Sequence, residues 1–269
     1  MDRYPKRFIL ERPPLIYAVA QIKFSGVGRL STRIPDIQDE MRKVGFPRFT
    51  EGQVTTIQFG SPADTVISPR WEFLNRDRTT GVALLKDSVG FHVSRYIGFD
   101  EFCTHLRTAL KIVQNSLGIE LVERIGLRYV DVVWPEPREG FASLVNPVLL
   151  GLDDKAVGAR ESSCFVNYIA QTEVGTLCVR ALRRSDGAFL PPDLQPQQTL
   201  AFAIPPIVPG QSVLTLDLDH FQDLEKEPQE FSEVDIIKRL WLLHDNLTSA
   251  FLSSVTPLAL AAWGMKERA

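Results

Sequence analysis

The chain has 269 residues, of which 30 are Lys or Arg, 33 are Asp or Glu and 44% are hydrophobic. These proportions are typical of a soluble globular protein and exclude the disordered, collagen-like and low-complexity classes. A chain of this length can bury roughly 70–75% of its unfolded surface, so it needs no metal or disulfide to stabilise a core.

No segment predicts a membrane span or a secretory signal. The longest apolar runs, Thr199–Val208 and Val255–Trp263, contain proline and are much shorter than the ~20 residues that a span requires. The first fifteen residues mix both charges with three prolines and have no apolar stretch of the kind found in signal peptides. We therefore expect a cytoplasmic protein without a membrane partner.

The cysteines and the charge distribution argue against two further classes of protein. Cys103, Cys164 and Cys178 are an odd, widely spaced set without a C-x-x-C pair, so we expect reduced thiols and no structural zinc. Residues 1–135 carry 19 basic and 15 acidic side chains, and residues 136–269 carry 11 and 18. The basic surplus of the first half is small and dispersed, so charge does not support binding of nucleic acid.

In the first half, the residue pattern predicts mostly strands. Alternating apolar residues predict a strand over Leu15–Ser25, and a proline in the first turn followed by helical spacing predicts a short helix over Pro35–Val44. Four short segments rich in aromatic and β-branched residues then predict an antiparallel meander: Val54–Gly60, Arg70–Asn75, Gly81–Lys86 and Phe91–Tyr96. A helix over 100–117, capped by Asp100, and a strand over Val122–Val133 follow.

The second half repeats this pattern after a connector rich in proline and glycine over 136–157. A turn near Gly175 separates the first two of its four predicted strands, which are Ser163–Ala170, Thr176–Leu182, Thr199–Ile204 and Ser212–Phe221. A long helix over 232–254 completes the chain. We predict an α+β fold of two similar lobes, 1–135 and 158–269, each an antiparallel sheet covered by one long helix.

The acidic pair Asp217 and Asp219 is the most chemically suggestive pattern. On a strand, both side chains project to the same face about 7 Å apart, close enough to share a divalent cation. The simpler interpretation is a half-exposed strand with Leu214, Leu216 and Leu218 inward and the aspartates outward in water. No third carboxylate or lysine with recognisable spacing accompanies the pair.

His244 and two arginines complete the candidate site residues. His244 shares a helical stripe with Leu240 and Leu247, so its ring should face the sheet, either as a general base or as a core residue with a hydrogen-bond partner. Arg124 and Arg128 share one face of a strand, where they could bind an anionic ligand or a protein partner. The alternative is an ion pair with acidic residues of the second half.

Several short stretches together resemble a sporadically distributed, functionally uncharacterised family of bacterial and archaeal proteins of about this length. They are Pro13-Pro14-Leu15-Ile16, Arg124–Tyr129, Leu216–Asp219, Leu243-His244 and Ala262-Trp263-Gly264. The family has no assigned activity or catalytic residues. The resemblance implies a prokaryotic origin and the patchy distribution that is typical of accessory, defence and toxin–antitoxin genes.

We predict a non-enzymatic binding protein, an accessory component of a prokaryotic defence or toxin–antitoxin system with a protein partner and no cofactor; homo-oligomers are compatible with this. One alternative is a metal-dependent phosphoryl-transfer enzyme or nuclease, with Mg²⁺ or Mn²⁺ on Asp217 and Asp219. Another is a small-ligand, nucleotide-like sensor that binds between the lobes. Asp217, Asp219 and either His244 or Arg128 in one concave pocket, with shifted carboxylate pKa values, would argue against the non-enzymatic prediction.

Overall fold

The structure, a computed structural model, describes residues 8–58, 64–134, 140–159, 162–186, 188–194, 199–204 and 211–267. Within these residues the strands are β1 (Phe8–Leu10), β2 (Leu15–Lys23), β3 (Arg48–Gln58), β4 (Asp64–Leu74), β5 (Thr80–Leu85), β6 (Ser88–Val93), β7 (Leu121–Val122), β8 (Arg124–Val133), β9 (Cys164–Gln171), β10 (Thr176–Arg184), β11 (Val213–Asp223), β12 (Gln229–Glu230) and β13 (Met265–Glu267). The α-helices are α1 (Leu30–Lys43), α2 (Phe99–Leu117), α3 (Glu233–Ser254) and α4 (Pro257–Ala262).

Nine of these strands form one antiparallel sheet in the order β3-β4-β5-β6-β2-β8-β11-β10-β9. At its centre, β2 pairs with β6 on one side and with β8 on the other, so Ala20 lies between Phe91 and Leu127. The short strands pair separately, β1 with β13 and β7 with β12.

The prediction of two lobes, each covered by one long helix, is wrong. β8 of the first half pairs with β11 of the second, from Arg124 opposite Asp223 to Val133 opposite Leu214, and this joins the strands of both halves into one sheet. On one face of this sheet α2 packs between α1 and α3. The error has a physical cause: alternation shows which residues of a strand face a core, but it does not show which strand edges pair.

The helix-covered face carries one continuous core. Fully buried side chains of the sheet, such as Ile22 and Phe91, belong to the same apolar cluster as Met41, Leu106 and Leu240 from the three long helices. Phe91 packs on Phe102 of α2 with the ring centroids 4.9 Å apart. Each large apolar side chain buried in this way contributes about 1.5–3 kcal/mol to folding.

The opposite face of the sheet, called the open face below, is covered only in part. The segment between β10 and β11 folds back over it, and Leu190 and Leu200 pack there against Tyr17, Leu74 and Val130. Residues 199–204, predicted as a strand, are irregular and belong to this covering segment. The Thr215 hydroxyl donates to the Phe189 carbonyl and holds the segment in place.

Other details of the elements depart from the sequence-based expectations. Pro35 lies inside α1, which begins earlier at Leu30, because Leu30 is buried and adds a first turn to the apolar stripe. Asp100 lies in the first turn of α2 and the helix is capped by Gly98 instead. The long helix is confirmed, with Ser232 accepting a hydrogen bond from the Asp235 amide as its N-cap.

The structure also shows the state of the cysteines and where the C-terminal apolar segment packs. All three cysteines are free, as expected, and burial raises the pKa of Cys103 to about 12. In the 255–263 tail, Val255, Ala259 and Leu260 are buried in the main core. That part of the tail therefore contributes to folding of its own chain.

Candidate functional site

A cleft of about 1420 Å³ lies on the open face of the sheet. Its floor is a row of cross-strand neighbours, in which Gln21 of β2 lies between Gly90 of β6 and Gly126 of β8. Ala83 and Phe221 continue this row on either side. Gly90 and Gly126 have no side chains to fill the cleft, so the cleft is deep on either side of Gln21. Residues 191–194 of the covering segment form part of the wall.

Strand register places a charged cluster at the side of the cleft formed by β8, β11 and β10. Asp219 lies directly opposite Arg128, and Asp217 lies directly opposite Arg180. Side chains that are opposite or diagonal on neighbouring antiparallel strands are close enough to interact. We define the charged cluster as Arg128, Arg180, Asp193, Asp217 and Asp219.

Arg128 binds two carboxylates at once. Its Nε and Nη2 donate to the two oxygens of Asp217 at 2.6 and 2.8 Å. Its Nη1 and Nη2 donate to the two oxygens of Asp193 at 2.6 and 3.1 Å. Burial lowers the pKa of the Arg128 guanidinium, but the hydrogen bonds and charges of these carboxylates outweigh burial and raise it. The predicted ion pair with acids of the second half is confirmed for Arg128.

Asp217 and Asp219 differ in environment although they are two residues apart. Asp217 is 1% exposed and also accepts a hydrogen bond from Arg180 at 2.9 Å, whereas Asp219 lies 3.8 Å from that guanidinium. Burial raises the pKa of Asp219, and the neighbouring arginines reduce this effect only in part. The expectation that both aspartates point into water is wrong for Asp217, because the covering segment lies over this part of the open face.

Arg124 lines the same cleft with different contacts. Its Nη1 donates to the Gln21 side chain at 3.1 Å, and its guanidinium lies 4.2 Å from the ring centroid of Phe221. Burial lowers the pKa of Arg124, partly offset by Asp219 and Asp223. The direct contacts of the Arg124 guanidinium are thus an aromatic ring and a neutral amide.

A second polar group lies across the cleft on β4, β6 and β2. Glu72 is buried, 2.8 Å from Nε2 of His92 and 3.3 Å from Nη2 of Arg70. Burial raises the pKa of Glu72, but the interactions with His92 and Arg70 outweigh burial, so that the pKa lies below its ordinary value. The Tyr17 hydroxyl is 3.2 Å from Nδ1 of His92. The polar groups of Glu72, Arg70, His92 and Tyr17 thus contact one another, which is typical of a structural network.

His244 is not part of the cleft. It lies on the helix-covered face, where its ring stacks on Phe99 with centroids 4.1 Å apart and its Nδ1 is 2.9 Å from the Tyr129 hydroxyl. The sheet separates it from Asp217 and Asp219. From the predicted candidates, the structure therefore brings together Arg124, Arg128, Asp217 and Asp219 in one cleft, but not His244.

Nothing in the geometry of the aspartates resembles a metal centre. Among the described residues, no group of three or more His, Cys, Asp or Glu side chains is placed to hold a metal ion. Both oxygens of Asp217 already accept hydrogen bonds from arginines. A cation at Asp217 would have to displace guanidinium groups from a buried carboxylate.

Two members of the charged cluster, Arg180 and Asp193, were missed by sequence analysis. Arg180 lies on the same face of a predicted strand as Cys178 and Leu182, so its face could have been inferred, but its position opposite Asp217 depends on the β10–β11 register. Asp193 lies in the irregular segment between those strands. No local pattern indicates which arginine it reaches.

Comparisons with known proteins add no family to this description: no protein-family model matches the chain, and neither does any curated protein. The resemblance to the sporadic bacterial and archaeal family stays a prediction. In the described part of the chain, no helix is both long and apolar enough to cross a membrane.

Proposed function

We propose that this protein binds a polar ligand of nucleotide size in the cleft and catalyses no reaction there. The cleft, at about 1420 Å³, exceeds the roughly 300–1000 Å³ typical of pockets for drug-sized molecules. Its lining combines guanidinium groups with apolar side chains such as Val19, Leu182 and Phe165. Such a surface suits a ligand with both an anionic part and a flat apolar part. The observation that carries the proposal is the position of Arg124, Arg128 and Arg180 in this single cleft.

The carboxylates support binding rather than chemistry. Asp217, the best placed acid, accepts three hydrogen bonds from two arginines and its side chain is 1% exposed, so a proton or a metal has little access to it. A general base must be able to reach the proton that it removes. Asp219 shares the concave cleft and has a raised pKa, the pattern expected of an acid–base residue. The meeting of Asp217, Asp219 and Arg128 in one cleft, with a raised pKa at Asp219, counts against the non-enzymatic prediction. Binding is still the role that the cleft supports best, because guanidinium groups surround Asp219 and no histidine belongs to the charged cluster.

The proposed ligand is that of the nucleotide-like sensor considered from the sequence, but its binding site is in a different place. The site lies on the open face of one continuous sheet instead of between two lobes. An accessory role in a prokaryotic defence or toxin–antitoxin system remains part of the proposal, and it is supported by the family resemblance alone.

The test uses a variant that fills the cleft without changing its charge. Gly90→Leu places a side chain on the floor, where the first added carbon meets nothing closer than 3.9 Å. Gly140→Leu is the matched control, since Gly140 is exposed, has an extended backbone and has no atom within 4 Å of an added carbon. Both variants should fold like the wild type.

Protein purified from its native host is analysed by native mass spectrometry for a bound small molecule, and by thermal shift against nucleotides and polycarboxylates. We expect a bound molecule, or stabilisation by about 2.7 kcal/mol at 100 times the Kd, in the wild type and Gly140→Leu but not in Gly90→Leu. A wild type without either signal, or equal signals in Gly90→Leu, would contradict the proposal. The same purification shows whether a partner protein accompanies the chain.

A further inference from the structure

The two carboxylates on Arg128 differ in a way that points to a ligand subsite. The Asp217 side chain is 1% exposed and lies within the sheet, whereas the Asp193 side chain is 63% exposed and lies on the covering segment. Asp217 also binds Arg180, so we assign it to the ion pairs that the sheet keeps whether or not a ligand is bound. Asp193 binds only the outer edge of the guanidinium, the edge that faces the cleft.

We infer that the outer edge of Arg128 is the subsite for an oxyanion of the ligand, a carboxylate or a phosphate, and that Asp193 occupies this subsite when no ligand is bound. This inference rests on the proposed function and names the chemical class of the group that the ligand presents. The planar guanidinium offers two parallel N–H groups, which match both kinds of oxyanion.

The local charge favours an incoming anion once Asp193 leaves. With Asp193 in place, Arg128 binds one carboxylate of its own and shares Asp217 with Arg180. Without Asp193, the two guanidinium groups of Arg128 and Arg180 have, among the described residues, only Asp217 as a hydrogen-bonded carboxylate, and burial raises the pKa of the neighbouring Asp219. An anion at Arg128 restores the balance that Asp193 provided.

Asp193 can leave without unfolding the covering segment. It lies in the turn Pro191–Leu194, closed by a hydrogen bond from the Leu194 amide to the Pro191 carbonyl. Leu190 and Leu194 on either side of Asp193 pack on Tyr17 and Val130 and anchor the segment. Rotation of the exposed Asp193 side chain, which breaks its two hydrogen bonds to Arg128, therefore opens the subsite.

Asp193→Asn tests the inference, because it removes the charge and keeps the shape. The matched control is Asp186→Asn: Asp186 is another exposed aspartate that accepts two hydrogen bonds from one arginine, Arg184, and neither residue lines the cleft. Binding is measured by titration calorimetry with inorganic phosphate and, in a separate arm, with succinate. The tighter of the two shows whether the subsite prefers phosphate or carboxylate.

We expect Asp193→Asn to bind the preferred probe about fivefold more tightly than the wild type, since the competing internal anion is gone. Asp186→Asn should bind like the wild type, and Arg128→Lys in the Asp193→Asn background should lose the gain. No gain in Asp193→Asn, or an equal gain in Asp186→Asn, would overturn the inference.

Gly90→Leu separates this outcome from that of the proposed function. A small anion needs only the charged cluster, so Gly90→Leu in the Asp193→Asn background should still bind the probe. If Gly90→Leu abolishes binding of the large ligand but Asp193→Asn gives no gain in phosphate or succinate binding, the proposed function stands and the subsite is wrong. If Asp193→Asn gives the gain but Gly90→Leu leaves binding of the large ligand unchanged, the subsite stands and the proposed function is wrong.

Discussion

Asp131 and Asp217 are buried aspartates on opposite faces of the same sheet, with opposite environments. Asp217 accepts hydrogen bonds from two arginines on the open face. Asp131 is 3% exposed on the helix-covered face, and burial raises its pKa to about 8 from 3.8. A buried carboxyl is tolerated as an ion when cations surround it, and as a neutral acid when they do not.

Asp131 should make stability depend on pH. Its folded pKa lies above its unfolded pKa, so between pH 3.8 and about 8 the folded chain holds the extra proton. Stability is therefore highest at the low end of this window and falls as the pH rises through it, by at most about 1.4 kcal/mol per pH unit. We expect Asp131→Asn to flatten this slope and to stabilise the chain most at about pH 8.

Urea unfolding at a series of pH values measures this effect. The control is Asp36→Asn on α1, where the Asp36 side chain is 71% exposed, and this variant should keep the slope of the wild type. A slope unchanged by Asp131→Asn would show that Asp131 is ionised in the folded chain.

The alternation of apolar residues predicts on which face of the sheet a buried aspartate lies, but not which residues it contacts. Alternation in β11 correctly placed Leu216 inward and Asp217 on the opposite face, because the period of two is local. The burial of Asp217 arises from the covering segment and from Arg180 on the next strand. Both are contacts between residues far apart in sequence, which periodicity does not contain.

Among the elements, the β9–β10 hairpin shows how tightly a turn can be built against a neighbouring strand. Thr172 accepts hydrogen bonds through its hydroxyl from the amides of Val174 and Gly175, and the same hydroxyl is 3.0 Å from Nε2 of His220 on β11. A side-chain carbon added at Gly175 would lie 2.2 Å from the Phe221 carbonyl oxygen. Only glycine allows this approach.

Gly175→Ala should therefore destabilise the chain by about 1–3 kcal/mol, since the backbone of β11 must move to make room. Gly28→Ala, at an exposed position where an added carbon meets nothing within 4 Å, is the control and should change stability by no more than about 0.5 kcal/mol. Thermal or urea unfolding of both variants provides the comparison. Equal effects would show that the turn relaxes freely.

The existence of the helices was more predictable than their ends. α2 and α3 were expected from their apolar stripes, which repeat over several turns. The start of α1 was not, because Pro35 is compatible with a helix start and its position inside the helix depends on Leu30 packing into the core. Asp100 suits a cap, yet burial of Phe99 extends α2 by one residue and moves the cap to Gly98.

For the whole molecule, the decisive contact is the pairing of β8, in the first half, with β11, in the second. Both strands contribute side chains to the single core under the helices, for example Leu127 and Leu216. The same pairing places Gly126 beside Phe221 in the floor of the cleft. Neither half can lose its sheet without exposing the core of the other.

We therefore expect the chain to unfold in one transition. Differential scanning calorimetry should give a calorimetric enthalpy equal to the van't Hoff enthalpy, the test of two-state unfolding. Two resolved transitions would indicate that the halves are independent domains, as the sequence-based boundaries at 1–135 and 158–269 imply. Those boundaries could not foresee the joint sheet, because a pairing between two strand edges leaves no signal in either strand alone.

Ala20 of β2 pairs with Leu127, 107 positions later in the chain. At a synthesis rate of about 5–20 residues per second, about 5–20 s pass between the synthesis of Ala20 and that of Leu127. During this time the edge of β2 that pairs with β8 has no partner strand. An unpaired strand edge is a template for pairing with other chains. Until β8 is free to pair, this edge of the nascent chain is therefore a site for pairing with other chains.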